Sequence, residues 1–386
     1  MFTLTAFGDV MMGVCSSTKC KTEDSLPYLI KHKILDLTPF SRITDFSDFN
    51  IVNLETPVTE NVSYERGKKN LIASSEGLDI LKKININLAT LANNHIFDFG
   101  IKAVEETKKL LREKDIDYVH SPQFNDCSMT KTINGSKVTF IAYGAKPYYN
   151  VETDHLDPDY YKNYEFFLQE IRQLSSESTF DCLSIGNLLP LLREIEKKKG
   201  GSDAIIILIH WGFANTKLPS PLQIEIAHKL IDFGADVIIG NHPHVIQPVE
   251  YYQGKLIAYS LGNFIFDSWK TDKIKSLVLK LVYNGDLKAE YYISSRNGKY
   301  NYSLSETKMT RKAISVNSKR VEFLYPGFME NELSKASSIL SSYKRYAKYR
   351  NECRNPTFLR EFQELLRSDI TPRTKMAIIR RKIFKK

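Results

Sequence analysis

The chain predicts an α/β fold in which strand, polar turn and helix alternate in layers. Three observations predict it. Short apolar runs recur from the amino terminus to about residue 293, several of them lead into amphipathic helices, and most end on their carboxyl side in a polar or glycine-bearing turn. With 386 residues, 42% of them hydrophobic, the chain can bury one large domain and carry a smaller annex.

Residues 2–7 form the first expected strand, which stops at Gly8-Asp9-Val10-Met11. A helix is expected between Asp36 and Phe49, and Phe49-Asn50-Ile51-Val52 is the next strand. It gives way to Asn53-Leu54-Glu55-Thr56-Pro57, where the proline forbids further ladder pairing. The polar stretch from Val58 to Ser74, with Arg66 and Lys69, reads as a surface loop that is either solvated or leaning over an anion site. Leu78, Leu81 and Ile84 have helical spacing, 86–91 is a strand, and Ala92-Asn93-Asn94-His95 follows it with Asp98 and Gly100. Residues 101–114 set Val104, Leu110 and Leu111 against lysines and glutamates, an amphipathic helix.

Residues 116–119 are a strand, and Asn134-Gly135 joins strands 129–133 and 137–143 as a hairpin. Residues 148–164 read as an aromatic, acidic insertion loop, with helices at 165–174 and 188–199. Strand 204–209 ends in His210-Trp211-Gly212; a proline-started helix runs to Phe233 before Gly234; strand 237–239 ends in Gly240-Asn241-His242-Pro243-His244. Two further hairpins are expected about Gln253-Gly254 and Asn284-Gly285, with Ser260-Leu261-Gly262-Asn263 at another strand edge.

Charge divides the chain. Residues 300–386 hold 20 Lys and Arg against 8 Asp and Glu, a net of +12, while residues 1–299 hold 34 against 37, a net of −3. That shift sets the expected domain boundary: 1–299 carries the constellation, and 300–386 is a basic, mainly helical region with helices near 331–350, 356–367 and 372–384. Such helices are either solvated or dock on an anionic membrane surface or polymer. No nucleic-acid-binding signature accompanies them, so nucleic acid is not expected as a partner. Five scattered cysteines fit free thiols in a reducing compartment. Met1 to Phe7 is too short for a secretory signal and no apolar run spans a bilayer, so a cytoplasmic protein, peripheral to the membrane at most, is expected.

Asp9, Asn53 or Glu55, Asn94 with His95, His210, His242 and His244 all leave apolar strands at the carboxyl end, with Asn263 at another strand edge. Singly, an aspartate there is usually a turn former, Asn94 could cap the following helix, and His210 could be a bonded core residue. Their shared polarity points instead to a metal centre. Imidazole mixed with carboxylate suits zinc, manganese or iron rather than calcium. Two carboxylates allow a pair of ions, which clamp attacking and leaving oxygens and activate water without a Ser or Cys nucleophile.

The set Phe7-Gly8-Asp9-Val10-Met11, Asn53-Leu54-Glu55, Ala92-Asn93-Asn94-His95 with Asp98 and Gly100, His210-Trp211-Gly212, Gly240 to Val245 and Tyr259 to Phe264 resembles the CapA family of capsule and poly-γ-glutamate biosynthesis proteins. The likeness spans residues 2 to 267. That family is similar to the calcineurin-like metallophosphoesterases, which implies a four-layer α/β/β/α sandwich with a two-metal centre. It would make Asp9, Glu55, Asn94, His210, His242 and His244 ligands. His95 would protonate the leaving oxygen, oriented by Asp98 three residues on, on the same helical face. The chain departs from the pattern at Met11, where the superfamily has histidine, and at Phe213-Ala214-Asn215, where a glutamate is common.

Two functions follow. One is a metal-dependent hydrolase of a phosphoester or related linkage in surface-polymer biosynthesis. The other is a non-catalytic, metal-binding component of an assembly that makes or exports an anionic polymer.

Overall fold

Among the described residues, two eight-stranded mixed sheets face each other, and helices cover the outer side of each. The computed structural model describes residues 1–15, 26–32, 35–60, 71–121, 126–144, 189–212, 215–267, 273–297, 301–316 and 319–330. In chain order these form β1 (Phe2–Met11), β2 (Val14–Cys15), α1 (Leu26–Lys31), α2 (Thr38–Thr44), β3 (Phe49–Leu54), β4 (Leu71–Ile72), α3 (Glu76–Lys83), β5 (Leu88–Thr90), α4 (Gly100–Glu113) and β6 (Asp117–Val119). Then come β7 (Ser128–Ile133), β8 (Ser136–Gly144), α5 (Leu189–Lys199), β9 (Ala204–His210), α6 (Pro221–Phe233), β10 (Val237–Asn241), β11 (Val249–Tyr252) and β12 (Lys255–Ala258). β13 (Asn263–Phe266), β14 (Lys273–Tyr283), β15 (Leu287–Asn297), β16 (Asn301–Glu306), β17 (Met309–Val316) and β18 (Lys319–Pro326) complete it.

The first sheet runs β16-β15-β14-β1-β3-β5-β6, with β13 also on β1; the second runs β17-β18-β11-β12-β10-β9-β8-β7. Strands β1, β3, β5 and β6 are mutually parallel, as are β8, β9, β10 and β12. Parallel strands buried on both faces read as continuous apolar runs, which is why Ala204 to Ile209 and Val237 to Ile239 look as they do.

Leu4, Ala6, Phe49 and Ile51 of the first sheet meet Phe140, Ile206 and Ile207 of the second in one core, with Phe49 stacked on Phe140 at 5.2 Å. Leu191, Ile195 and Leu230 of α5 and α6 join that core. The second core lies between the first sheet and α1–α4, through Phe7, Val10, Val52, Leu54, Phe40, Leu81 and Val104. These contacts define the four layers.

Strand β1 is longer than the sequence suggests and contains Asp9 rather than stopping before it. Its pairing with β3 passes from Ala6↔Ile51 to Asp9↔Asn53, so three steps on β1 match two on β3, which is a β-bulge. The extra residue inverts which side each chain position faces. Phe2, Leu4 and Ala6 point between the sheets, whereas Val10 points to the helices. Asp9 is thereby turned toward the second sheet. On its other edge β1 changes neighbour, leaving antiparallel β14 after Ala6 and taking parallel β13 at Asp9. Gly8 makes the crossing possible, because a Cβ there would stand 1.8 Å from the Gly262 carbonyl oxygen.

The expected hairpins form. β7 and β8 turn at Asn134-Gly135, both at positive φ (48° and 82°), and β11 and β12 turn at Gln253-Gly254 (50° and 74°). Helix α6 starts with a Ser220–Gln223 capping box and ends at Gly234, φ 123°.

The expected boundary between 299 and 300 meets a different arrangement. β16 pairs along β15, and β18 pairs with β11, so residues 301–326 are strands that continue both sheets. Arg311 and Arg320 are exposed on these strands, an arrangement that charge counting does not see. The three helices expected beyond residue 330, the loop at 148–164, the helix at 165–174, and Arg66 and Lys69 lie outside the described residues. Among the described residues no helix is long and apolar enough to cross a membrane.

Candidate metal centre

The carboxyl ends of β1, β3, β9 and β10 open onto one ridge between the sheets, and the candidate ligands gather there. Asp9 and Glu55 are fully buried and His210 is 2% exposed. Glu55 follows β3 directly, its N–H held by the Val10 carbonyl at 2.9 Å. His210 is the last residue of β9. After β10, His242 and His244 flank Pro243 with φ of 94° and 59°, left-handed conformations that non-glycine residues seldom adopt. Backbone strain of this kind aims both imidazoles, and Asn215 helps fix it by donating its N–H to the Pro243 carbonyl at 2.7 Å.

Two groups of metal-competent atoms result among the described residues, each within 4.8 Å of one another: Glu55 with His210 and His242, and Asp9 with Glu55 and His244. Glu55 belongs to both. Its Oε1 lies 3.4 Å from His210 Nε2 and its Oε2 3.6 Å from His244 Nδ1, while Asp9 Oδ2 is 3.5 Å from His244 Nδ1. His210 Nε2 is 3.1 Å from His242 Nδ1 and 2.7 Å from Asn94 Oδ1, so Asn94 joins the first group. Asn263 Oδ1 contacts His244 Nδ1 at 2.9 Å. Asn53 Nδ2 donates to Asp9 Oδ1 at 2.7 Å and lies 3.2 Å from His210 Nδ1. Asn53 and Asn263 therefore hold ligands in place.

The electrostatics fit cations. Both Glu55 carboxylate oxygens are buried without a hydrogen-bond partner, a costly state for a group with up to four acceptor positions. Burial pushes the Glu55 pKa up to about 8. Burial drives the His210 pKa down to about 3, and that of His242 far down too with the neighbouring imidazoles, leaving both neutral with lone pairs to give. Burial opposes charge on His244, yet Glu55 and Asp9 raise it to about 9. Asp9 is buried as well, and its bond and attraction to His244 still hold it below the usual carboxylate value. A buried cluster that traps protons between carboxylates and imidazoles is one that divalent ions can neutralise instead.

His95 Nδ1 meets Asp98 Oδ2 at 2.9 Å beside this cluster, close enough for its charge to act on Glu55 and His210. Burial opposes its charge, but Asp98 raises its pKa above the ordinary histidine value. Asp98 also accepts the Leu71 N–H at 2.6 Å. The sequence placed Asp98 on a helical face with His95; here both sit on a turn closed by Asp98 N–H to His95 carbonyl (3.0 Å), and α4 starts only at Gly100. Asn94 therefore does not cap that helix. Met11 is buried at the end of β1 and brings no imidazole. Arg66, Lys69, Phe213 and Ala214 are outside the described residues. Sequence reading missed Asn93, whose amide spans the site; its only signal was the doubled asparagine before His95.

The family model described as bacterial capsule synthesis protein PGA_cap matches residues 3–268. "Capsule biosynthesis protein CapA" of Bacillus anthracis is 31% identical over 288 residues, 72% of this chain and 62% of that protein. "PGA biosynthesis protein CapA" of Bacillus subtilis (strain 168) is 29% identical over 276 residues, covering 70% and 65%. The chain thus matches less than two thirds of the length of either relative. Among solved structures, a hypothetical protein from Thermus thermophilus superposes with a TM-score of 0.44 at 17% identity, covering 76% of this chain and 99% of that one. A phosphatase from Mycoplasma pneumoniae gives 0.42 at 14% identity, covering 78% and 95%.

Proposed function

We propose, from the premise that this chain belongs to the bacterial capsule synthesis protein family PGA_cap, that it is a metal-dependent hydrolase of the metallophosphoesterase type. Its substrate would be a phosphoester or related linkage met in making a capsule or poly-γ-glutamate polymer. The observation that carries the reading is the His95–Asp98 pair set against two cation-competent groups that share Glu55. A proton donor with its own orienting carboxylate has a use in bond cleavage and none in passive binding.

Asp9, Glu55 and His244 would hold one divalent ion, and Glu55, Asn94, His210 and His242 the other; zinc, manganese and iron suit these donors. Such ions would supply positive charge for an anionic substrate and lower the pKa of water. The chain's own groups do the rest. Asp98 bonds one ring nitrogen of His95, fixing the ring and favouring its protonated form, so the other nitrogen can give a proton to the departing oxygen. Asn53 and Asn263 keep Asp9 and His244 from rotating away.

The second reading, a non-catalytic metal-binding component of a polymer assembly, draws on Met11, which leaves one superfamily ligand position without its imidazole. Location in the cytoplasm, with the basic region after residue 330 touching an anionic membrane surface or polymer, accompanies either reading. Metal analysis of purified protein beside hydrolysis of aryl phosphate mono- and diesters decides between them. For the hydrolase, His95→Ala keeps its metal and loses about 10²–10⁴-fold in turnover. Metal without turnover in the wild type favours the binding component.

A further inference from the structure

Asn93 lies at the carboxyl end of the β5 segment, 3% exposed, and uses every hydrogen-bonding position of its amide. Its Nδ2 donates to the Leu54 carbonyl at 2.8 Å and to Asn53 Oδ1 at 3.3 Å. Its Oδ1 accepts from the His95 N–H at 3.1 Å and the Ile96 N–H at 3.0 Å. The amide cannot be reversed, because two backbone N–H groups on one side require an acceptor and a carbonyl on the other requires a donor. On the donor side are Leu54, whose next residue is Glu55, and Asn53, whose own amide holds Asp9. On the acceptor side is the turn that carries His95. Hydrogen bonds therefore run without a gap from Asp9 through Asn53 and Asn93 to the backbone of His95.

We infer that Asn93 is a positioning residue that sets the His95 ring relative to the carboxylates Asp9 and Glu55, an inference that rests on the hydrolase reading for its kinetic consequence. No other side chain of that size offers two donors on one branch and a two-way acceptor on the other; leucine has the shape without the chemistry, and glutamine adds a methylene to a buried site. The turn that Asn93 Oδ1 holds carries the His95 ring, the group set to act on the leaving oxygen. A misplacement of about 1 Å in such a group can cost on the order of 10²-fold in rate.

The test compares wild type, His95→Ala, Asn93→Ala and the isosteric Asn93→Asp, which keeps the acceptor for the turn but loses donor capacity toward Leu54 and Asn53. Each is assayed with phenyl and 4-nitrophenyl phosphate, as monoesters and as methyl diesters. The phenyl esters need a proton on their leaving oxygen and the nitrophenyl esters scarcely do. Both Asn93 variants are expected to copy His95→Ala in pattern, with a loss in kcat about tenfold greater on the phenyl esters, unchanged KM and unchanged metal content. Equal loss on both leaving groups, or loss of metal in step with activity, would make Asn93 merely structural and overturns the inference. Crystal structures of the wild type and the Asn93 variants provide a reading that needs no turnover. Displacement of the His95 ring from its place relative to Glu55 by about 1 Å supports the inference, and superimposable rings overturn it. A wild type without activity on any ester, but with the ring displaced in the variants, refutes the hydrolase reading alone.

Discussion

Glu55 is the residue that both ligand groups share, and its two oxygens have no hydrogen-bond partner. Removing its charge should therefore cost both ions, whereas removing His242 should cost one. Elemental analysis after metal loading is expected to show His242→Ala with about half the wild-type metal and Glu55→Gln with close to none; equal loss in the two variants would mean that Glu55 is not shared. The same residues govern how the metal-free protein responds to pH. Glu55 keeps its proton to about pH 8 and His244 to about pH 9 when folded, while unfolded they release them near 4.5 and 6.5. The folded state thus binds more protons than the unfolded state across that range, and stability falls as pH rises. His210, neutral down to about pH 3, acts in the opposite sense below 6.5. In chelator, thermal melting should peak near pH 6 to 7 and decline toward pH 9, and saturating divalent metal should flatten the decline, since the ion replaces both protons. At this scale the sequence was informative: Asp9, Glu55, Asn94, His95, His210, His242 and His244 are polar residues at the ends of apolar runs, and the structure brings them together. Asn93 was not distinguishable, because only geometry tells which of two adjacent amides faces the strand.

Strand β1 shows what periodicity could and could not reveal. Apolar alternation over residues 2–7 identifies the strand, but a bulge leaves no mark in composition, and without it Asp9 would face α1–α4 instead of the histidines. Gly8 is the hinge of this arrangement. Its alanine variant would press a Cβ into the Gly262 carbonyl that accepts the Asp9 N–H at 2.9 Å. Gly8→Ala should destabilise the fold by about 1–3 kcal/mol in denaturant titrations, as overpacking does, and should weaken metal binding by more than alanine replacement of Gly135, which has open space around it. Equal metal affinity in the two variants would show that Asp9 is held without the bulge. Hairpins and helix ends were readable because Asn-Gly, proline and glycine act locally, whereas pairing between distant strands does not.

At the scale of the molecule, the charge shift does not coincide with the end of the sheets, because residues 301–326 are strands rather than helices. Among the described residues the expected break at 299/300 does not set the following strands apart, since β16 and β18 pair with strands of opposite sheets and bury Tyr302, Val321, Phe323 and Tyr325. A fragment ending at 299 bares the ladder edges of β15 and β11 and is expected to aggregate. A fragment ending at 330 keeps both of those edges paired and should be soluble and melt cooperatively. Scanning calorimetry and solubility check both, and a soluble, cooperative 1–299 would show these strands to be dispensable. The 1–330 fragment also reports on the basic remainder, for anionic vesicles should sediment the full chain and leave the fragment in solution. Asp9 and Glu55 come from the first sheet and His210, His242 and His244 from the second, so each metal-competent group draws on both halves. On the proposed metal-binding reading, neither group is complete during synthesis until His242 and His244 have emerged and the halves have closed, so an ion would be taken up late in folding.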